Sequence, residues 1–385
     1  MTTPSTNDLR RRDFLTAAAA FLASTTMTRA DNPLAPPDQQ PPHVKVPERP
    51  ARRVGWAVVG LGQLALEEVM PAFGQCRLAR PVALVSGHPD KAKKVAGAYD
   101  INPDNIYDYH SYDKLAHNDA VDVIYIILPN SMHAEYTIRG LKAGKHVVCE
   151  KPMATSVKEG EEMIAAAEKA QRQLMIAYRL RYEPFNMTAI ETCRNRDLGR
   201  LKLLTASNGQ NVVAPNIRLS KALGGGPLSD VGIYCLNAFR YLTGEEPIEV
   251  TGMAHQPPDD PRFREVPESV AFTLRFPSGA IACGDCSFGI SESRRFRVEG
   301  TSGALDLEGA FGYRGQKLTL RKETEHSEVQ LKPVNHFAAE MDNFSECVLS
   351  GKGTRTPGQE GLADLRVMAA IEEAIESGRS VKLKH

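Results

Sequence analysis

Three short stretches of this 385-residue chain carry residues whose types and spacing could do chemistry. Gly60-Leu61-Gly62-Gln63-Leu64-Ala65 follows an apolar run, Gly55 to Val59, and opens an amphipathic segment reaching about Phe73. Between a strand and a helix, G-x-G-x-x-A spacing builds a phosphate cradle. The first glycine makes the tight turn, the second lets backbone approach a pyrophosphate, and the small third residue lets helix and strand pack closely. The second stretch is Glu150-Lys151-Pro152, which ends a strand-like run from Lys145 to Cys149. The third is Gly224-Gly225-Gly226-Pro227-Leu228-Ser229-Asp230-Val231-Gly232-Ile233-Tyr234. Its glycines permit close approach, and Pro227 suits a first helical turn. Asp230 and Tyr234 then fall at i and i+4 on one helix face. A helical tyrosine is most often a core residue, whereas one paired with an aspartate behind a glycine loop is a candidate acid–base group. The spacing leaves both readings open.

The elements that must position these residues are legible. From Val54, strand-like runs at Val82–Val85, Val121–Leu128, Lys145–Cys149 and Leu174–Ala177 alternate with helical patterns at about Met132–Ala143 and Val157–Ala170. This alternation predicts a parallel, doubly wound sheet whose ligands lie outside the carboxyl ends of the strands, where Asn130 and Lys151 stand. The run Val82–Val85 ends in Ser86, without the acidic residue that grips the ribose of NAD, and Lys91 follows. A hydroxyl and an ammonium welcome a 2′-phosphate, so NADP is expected over NAD. After Tyr178 the pattern becomes a helix, Pro184 to Arg194, then runs at Leu201–Ser207, Ile248–Ala254, Ser269–Phe276, Ala280–Phe288, Phe296–Glu299 and Leu318–Arg321, spaced like an antiparallel sheet.

Composition excludes other classes. Lys+Arg 47 against Asp+Glu 47 gives no basic excess, which argues against a nucleic-acid binder. Past the first thirty residues no stretch nears the ~20 apolar residues of a membrane helix. Seven cysteines cannot form a complete disulfide framework. Cys283 and Cys286 have half-site spacing, but on a strand they point to opposite faces and no second pair is near, so no metal is expected. Arg10-Arg11-Arg12-Asp13-Phe14-Leu15 precedes a short apolar run, and Thr28 and Ala30 suit a cut after Ala30. Residues 1–30 thus look like a twin-arginine export signal. Residues 31–53 hold seven prolines and read as an extended arm, either a solvated spacer or a strap on a neighbouring subunit.

As a set, these residues resemble the glucose–fructose oxidoreductase and inositol dehydrogenase family, and within it the glucose–fructose oxidoreductase branch. The likeness covers nearly the whole chain, through Leu84-Val85-Ser86-Gly87, Tyr125-Ile126-Ile127-Leu128-Pro129-Asn130-Ser131, Ala143-Gly144-Lys145-His146-Val147, Glu150-Lys151-Pro152 and Gly244-Glu245-Glu246-Pro247. Glu-Lys-Pro marks the family. A tyrosine four residues after the aspartate, where many members carry histidine, marks the branch. The resemblance implies an α/β Rossmann domain, 54–177, plus an α+β domain with a large open, mostly antiparallel sheet, 178–385, for substrate binding and assembly into a homodimer or homotetramer.

It also implies roles. Tyr234 would take the proton from a sugar hydroxyl, Lys151 would favour the ionised tyrosine and orient the sugar, and Asp230 would hold the sugar or the tyrosine's surroundings. Gly60, Leu61, Gly62, Gln63, Leu64 and Ala65 would cradle tightly bound NADP, with Ser86 and Lys91 on its 2′-phosphate. Tyr109, Leu128, Asn130, His133, Glu150, Lys151 and Arg179 would line it, and Arg218 and Tyr313 are substrate-pocket candidates. The implied reaction oxidises an aldose at C1 to the lactone and reduces a second sugar, ketose or aldose, to the alditol by a ping-pong route. The alternatives are an NAD(P)-dependent sugar dehydrogenase with exchangeable cofactor and an exported glycosidase using NAD. Small sugars are the expected partners, with no nucleic acid and, after signal cleavage, no membrane. The periplasm holds no soluble NADP pool, so cofactor exported inside a folded enzyme must be regenerated in place. Replacing Arg11 and Arg12 with Lys is expected to strand active, cofactor-loaded enzyme in the cytoplasm. Cell fractionation checks this, and unchanged export would remove the localisation argument.

Overall fold

The computed structural model describes residues 52–322 and 325–383; the expected signal and nearly all of the expected arm lie outside them. β1 (Val54–Val59) is buried along its whole length, as a strand covered on both faces must be. With β2 (Ala79–Val85), the short β3 (Ile106–Tyr107), β4 (Val123–Ile126), β5 (His146–Cys149) and β6 (Leu174–Ile176), it forms a six-stranded sheet of order β3-β2-β1-β4-β5-β6. Every pairing is parallel. This is the Rossmann order, with its crevice at the carboxyl edge of β1 and β4. The helix after Gly62 widens into a π turn, Ala65–Val69, before Met70–Ala72. Pro71 has no N–H to offer the carbonyl one turn back, and a widened turn accommodates that loss. Crossover helices α1 (Pro89–Ala98), α2 (His133–Lys142) and α3 (Val157–Ala170) follow, the last capped by the Ser156 side chain on Glu159 N.

α4 (Pro184–Arg194) leads to the second sheet: β7 (Leu201–Asn211), β8 (Glu249–His255), β9 (Ser269–Arg275), β10 (Ile281–Ser287), β11 (Gly289–Gly300), β12 (Ala304–Glu308), β13 (Lys317–Lys322), β14 (Glu325–Glu328) and β15 (Val381–Lys382). Its order is β14-β13-β12-β11-β7-β10-β9-β8-β15, antiparallel except where β10 runs parallel to β7. The expected strand at Phe296–Glu299 is the end of the longer β11, and β12, β14 and β15 escaped the sequence pattern because they are short or fully exposed. Cys283 is exposed and Cys286 buried, on opposite faces of β10 as the strand period requires.

α5 (Ile233–Thr243) packs on β7 and β10. The chain then returns to the first sheet, which a boundary at 177/178 does not capture. α6 (His336–Ser350) lays Phe337, Met341 and Phe344 into the core that holds Trp56, Val58 and Leu84, and Trp56 Nε1 donates to Ser345 Oγ at 3.1 Å. α7 (Gly358–Ser377) ties both halves through Asp364, which is wholly buried. Its carboxylate accepts from Arg240 Nη1 at 2.6 Å, Tyr178 Oη at 2.6 Å and Asn237 Nδ2 at 2.7 Å. Burial pushes that carboxyl up to about 6 against the pull of Arg240. Arg240→Met would strand the carboxylate without its cation and is expected to cost about 3–5 kcal/mol in denaturant unfolding. A loss below about 1 kcal/mol would show that Tyr178 and Asn237 suffice.

Candidate active site

The carboxyl edge of the first sheet faces the start of α5, and the site is assembled there. Gly60 turns at φ +93°, and a Cβ would meet Ile127 O at 2.1 Å, so only glycine makes this turn. At Gly62 a Cβ would meet nothing within 4 Å, so the second glycine leaves open space beside the backbone. Leu61 and Ala65 are buried, whereas Gln63 faces outward and donates to Glu67 at 2.9 Å. Lys91 Nζ reaches Leu61 O at 3.2 Å, which sets an ammonium beside the turn. Ser86, at the end of β2, accepts from His88 N at 3.1 Å. Tyr109 lies against Gly87, where a Cβ would come 3.2 Å from its ring. A tight turn, open backbone, a hydroxyl and an ammonium at the next strand fit a dinucleotide with a phosphorylated ribose.

Lys151 is the centre. Its Nζ donates to Asp230 O at 2.6 Å and to Asp230 Oδ1 at 3.2 Å, and sits 4.6 Å from the centre of the Tyr234 ring. The helix carrying both partners begins at Pro227 and passes through a π turn, Leu228–Gly232, before α5, a feature frequent at functional sites. Asp230 Oδ2 accepts from Arg218 Nε at 2.6 Å. Burial pushes the Asp230 carboxyl up, and the Lys151 and Arg218 cations outweigh it, so the group lies below its ordinary range. For Lys151, burial disfavours the charge while Tyr234, Asp230 and Glu150 favour it, and the net direction is upward. The ammonium therefore stays charged.

Arg179 closes the other side. Its guanidinium donates to Gly312 O at 3.0 Å and Phe311 O at 2.7 Å, and Nη2 comes within 3.5 Å of the Tyr234 hydroxyl. Its Cζ lies 4.6 Å from the Tyr313 ring centre. The family resemblance implied Arg179 on the cofactor; the structure sets it against Tyr234, between the rings of Tyr234 and Tyr313. Glu150 accepts from Tyr125 Oη at 2.8 Å, and burial raises its carboxyl against Lys151 and Tyr125.

Three expected cofactor contacts have structural work. His133 is 1% exposed, and its ring nitrogens lie 2.7 Å from Pro152 O and 2.9 Å from Leu128 O, so it braces the loops after β4 and β5. Leu128 supplies one of those carbonyls. Asn130 Nδ2 donates to Gly224 O at 2.8 Å and ties the first sheet's loop to the glycine loop. Gly225 lies so close to Arg218 that a Cβ would meet Arg218 O at 2.3 Å. Those glycines hold Arg218 over Asp230. The ion pair joining them had no sequence signal beyond charge, because the partners come from separate turns.

A Rossmann crevice with a charged lysine beside a partly buried tyrosine defines a dinucleotide-dependent oxidoreductase. Residues 54–178 match the oxidoreductase family with NAD-binding Rossmann fold, and residues 187–306 match the GFO/IDH/MocA C-terminal domain. The chain belongs to the GFO/IDH/MocA oxidoreductase family. It is 42% identical to an aldose-aldose oxidoreductase from Caulobacter crescentus, whose crystal structure with glycerol superposes with a TM-score of 0.84, over 86% of this chain and 100% of that one. It is also 28% identical over 338 residues to a D-xylose 1-dehydrogenase [NADP(+)] from Haloarcula marismortui, over 86% of this chain and 93% of the relative. A D-xylose 1-dehydrogenase (NADP(+)) from Haloferax volcanii is 28% identical over 333 residues, 85% of this chain and 99% of the relative.

Proposed function

We propose that this protein is a sugar oxidoreductase with tightly held NADP, which oxidises an aldose at C1 to the lactone and reduces a second sugar to the alditol by a ping-pong route. The observation that carries this is Lys151, whose ammonium faces the Tyr234 ring at 4.6 Å while anchored on Asp230. The likeness to an aldose-aldose oxidoreductase supports the substrate class. Bound NADP would supply the hydride acceptor for the first sugar and the donor for the second. Gly60 to Ala65 would hold its pyrophosphate, and Ser86 and Lys91 its 2′-phosphate. Tyr234 accepts the proton of the C1 hydroxyl in one half-reaction and returns a proton to the second sugar's carbonyl oxygen in the other. Lys151 and Arg179 set positive charge beside the tyrosine that exchanges this proton. Asp230 keeps Lys151 in place, and Arg218, about 41% exposed at the mouth, contacts the sugar.

Two further features belong to this reading. The second sheet presents Leu203, Met253 and Ile281 on its uncovered face, which supports assembly through a second copy of the chain as a homodimer or homotetramer. The twin-arginine pattern at Arg11 and Arg12 supports periplasmic export. A dehydrogenase with exchangeable cofactor is the second reading, favoured by the xylose dehydrogenase relatives. Nicotinamide absorbance separates the two. Cofactor that survives dialysis, is reduced by an aldose and is reoxidised by a second sugar supports the first.

Denatured wild-type protein is expected to release NADP. Ser86→Asp, which sets a carboxylate at the ribose edge, should shift retention toward NAD. Release of NAD by the wild type would overturn the cofactor assignment. Tyr234→Phe keeps the ring and removes its proton-carrying atom, so fold and bound cofactor should persist while both half-reactions slow by about 10²–10⁴-fold. Lys151→Ala should also lower activity and move the pH profile to the alkaline side. Near-normal rates for Tyr234→Phe with both sugars would show that Tyr234 is only a packing residue.

A further inference from the structure

α6 brings one group to the back of the site that the mechanism above does not use. Glu340 is 1% exposed, and neither of its carboxyl oxygens has a hydrogen-bond partner. Its helix packs against the turn Arg179–Tyr182, which holds Arg179 against the Tyr234 hydroxyl. Arg179 donates only to two main-chain carbonyls and that hydroxyl, and among the described residues it makes no ion pair with a carboxylate. A buried guanidinium with no carboxylate keeps its charge directed at whatever lies in front of it, here the tyrosine and the ring of Tyr313.

The titratable groups that act on Glu340 through space come from several elements. They are Glu150 at the end of β5, Tyr125 on β4, and Arg179 and Tyr182 on the turn. His336 stands one turn away on its own helix. An ionised carboxylate with no hydrogen bond costs too much in such an interior, so the group resides as the neutral acid. Burial and the neighbouring Glu150 push its carboxyl well above the ordinary range, and Arg179 opposes them only in part.

We propose that Glu340 is a positioning residue for Arg179: uncharged, it leaves the guanidinium facing Tyr234, and once ionised it draws that charge away. The acid thus sets the alkaline limit of the proton-accepting half-reaction. This inference rests on Tyr234 as the base.

The test uses full-length protein with its NADP. Reduction of bound cofactor by glucose is followed by nicotinamide absorbance in single turnovers, from about pH 6 to about pH 10. The wild-type rate should rise with pH and then step down to a lower plateau as Glu340 ionises. Glu340→Gln has nothing to ionise, so its rate should hold the upper plateau, with glucose affinity unchanged in both proteins. Glu340→Leu, uncharged at every pH, serves the same purpose if the amide disturbs folding. Retained NADP and the unfolding temperature verify the fold of each variant. A structural role alone predicts altered stability with an unmoved pH profile, and that outcome overturns the proposal. So does a wild-type rate that never falls, or one that falls alike in both proteins. Tyr234→Phe in the same assay distinguishes the failures. If it keeps its rate, the base assignment is wrong. If it loses its rate while Glu340→Gln follows the wild type, only the role of Glu340 is wrong.

Discussion

The ammonium of Lys151 is the node on which the site depends. It leaves the end of a Rossmann strand, crosses to the second half of the chain, and is anchored there by the main-chain and side-chain oxygens of Asp230. A buried ammonium is costly unless it is paired and hydrogen-bonded. Meeting that requirement fixes the distance between the two sheets' edges, and it sets Lys151 over the ring of Tyr234. Structural need and chemical use therefore coincide in one contact.

Around that node the charges are unbalanced by design of the surroundings. Lys151 and Arg218 converge on one carboxylate, Asp230, which stays ionised because both cations touch it, while Arg179 stands against the Tyr234 hydroxyl with no carboxylate partner among the described residues. The other nearby carboxyls, Glu150 and Glu340, are displaced upward by burial. The cations Lys151, Arg179 and Arg218 therefore outnumber the carboxylates held ionised around Tyr234. Low-dielectric surroundings make such charges act more strongly on their neighbours than they would in water.

Two scaffold devices hold the arrangement. The glycine loop before α5 lets Asn130 and Arg218 approach its backbone, so loops from different parts of the chain close on one another. The return of α6 and α7 to the first sheet locks the halves together, through Phe344 against Trp56 and through the buried Arg240–Asp364 pair at the far end of α5. α5 is thus held at both ends, by Lys151 near its start and Asp364 near its finish.

Local patterns in the sequence determined much of this. The turn at Gly60 and Gly62, the boundaries of α3 and α4, and the alternation of strands and helices to Ile176 depend on neighbours within a few residues, so they are legible along the chain. The same holds for Tyr234 and Lys151, whose motifs mark them as candidates. Pairings between distant segments are not encoded locally. The meeting of Arg179 with Tyr234, the Arg218–Asp230 ion pair, the bracing role of His133 and the unpartnered carboxyl of Glu340 join segments whose approach is set by packing. So does the return of α6 to the first sheet, since an apolar helix face does not name the surface it will cover. Sequence determined which groups could do the chemistry, and only the tertiary structure decided which of them stand within reach of one another.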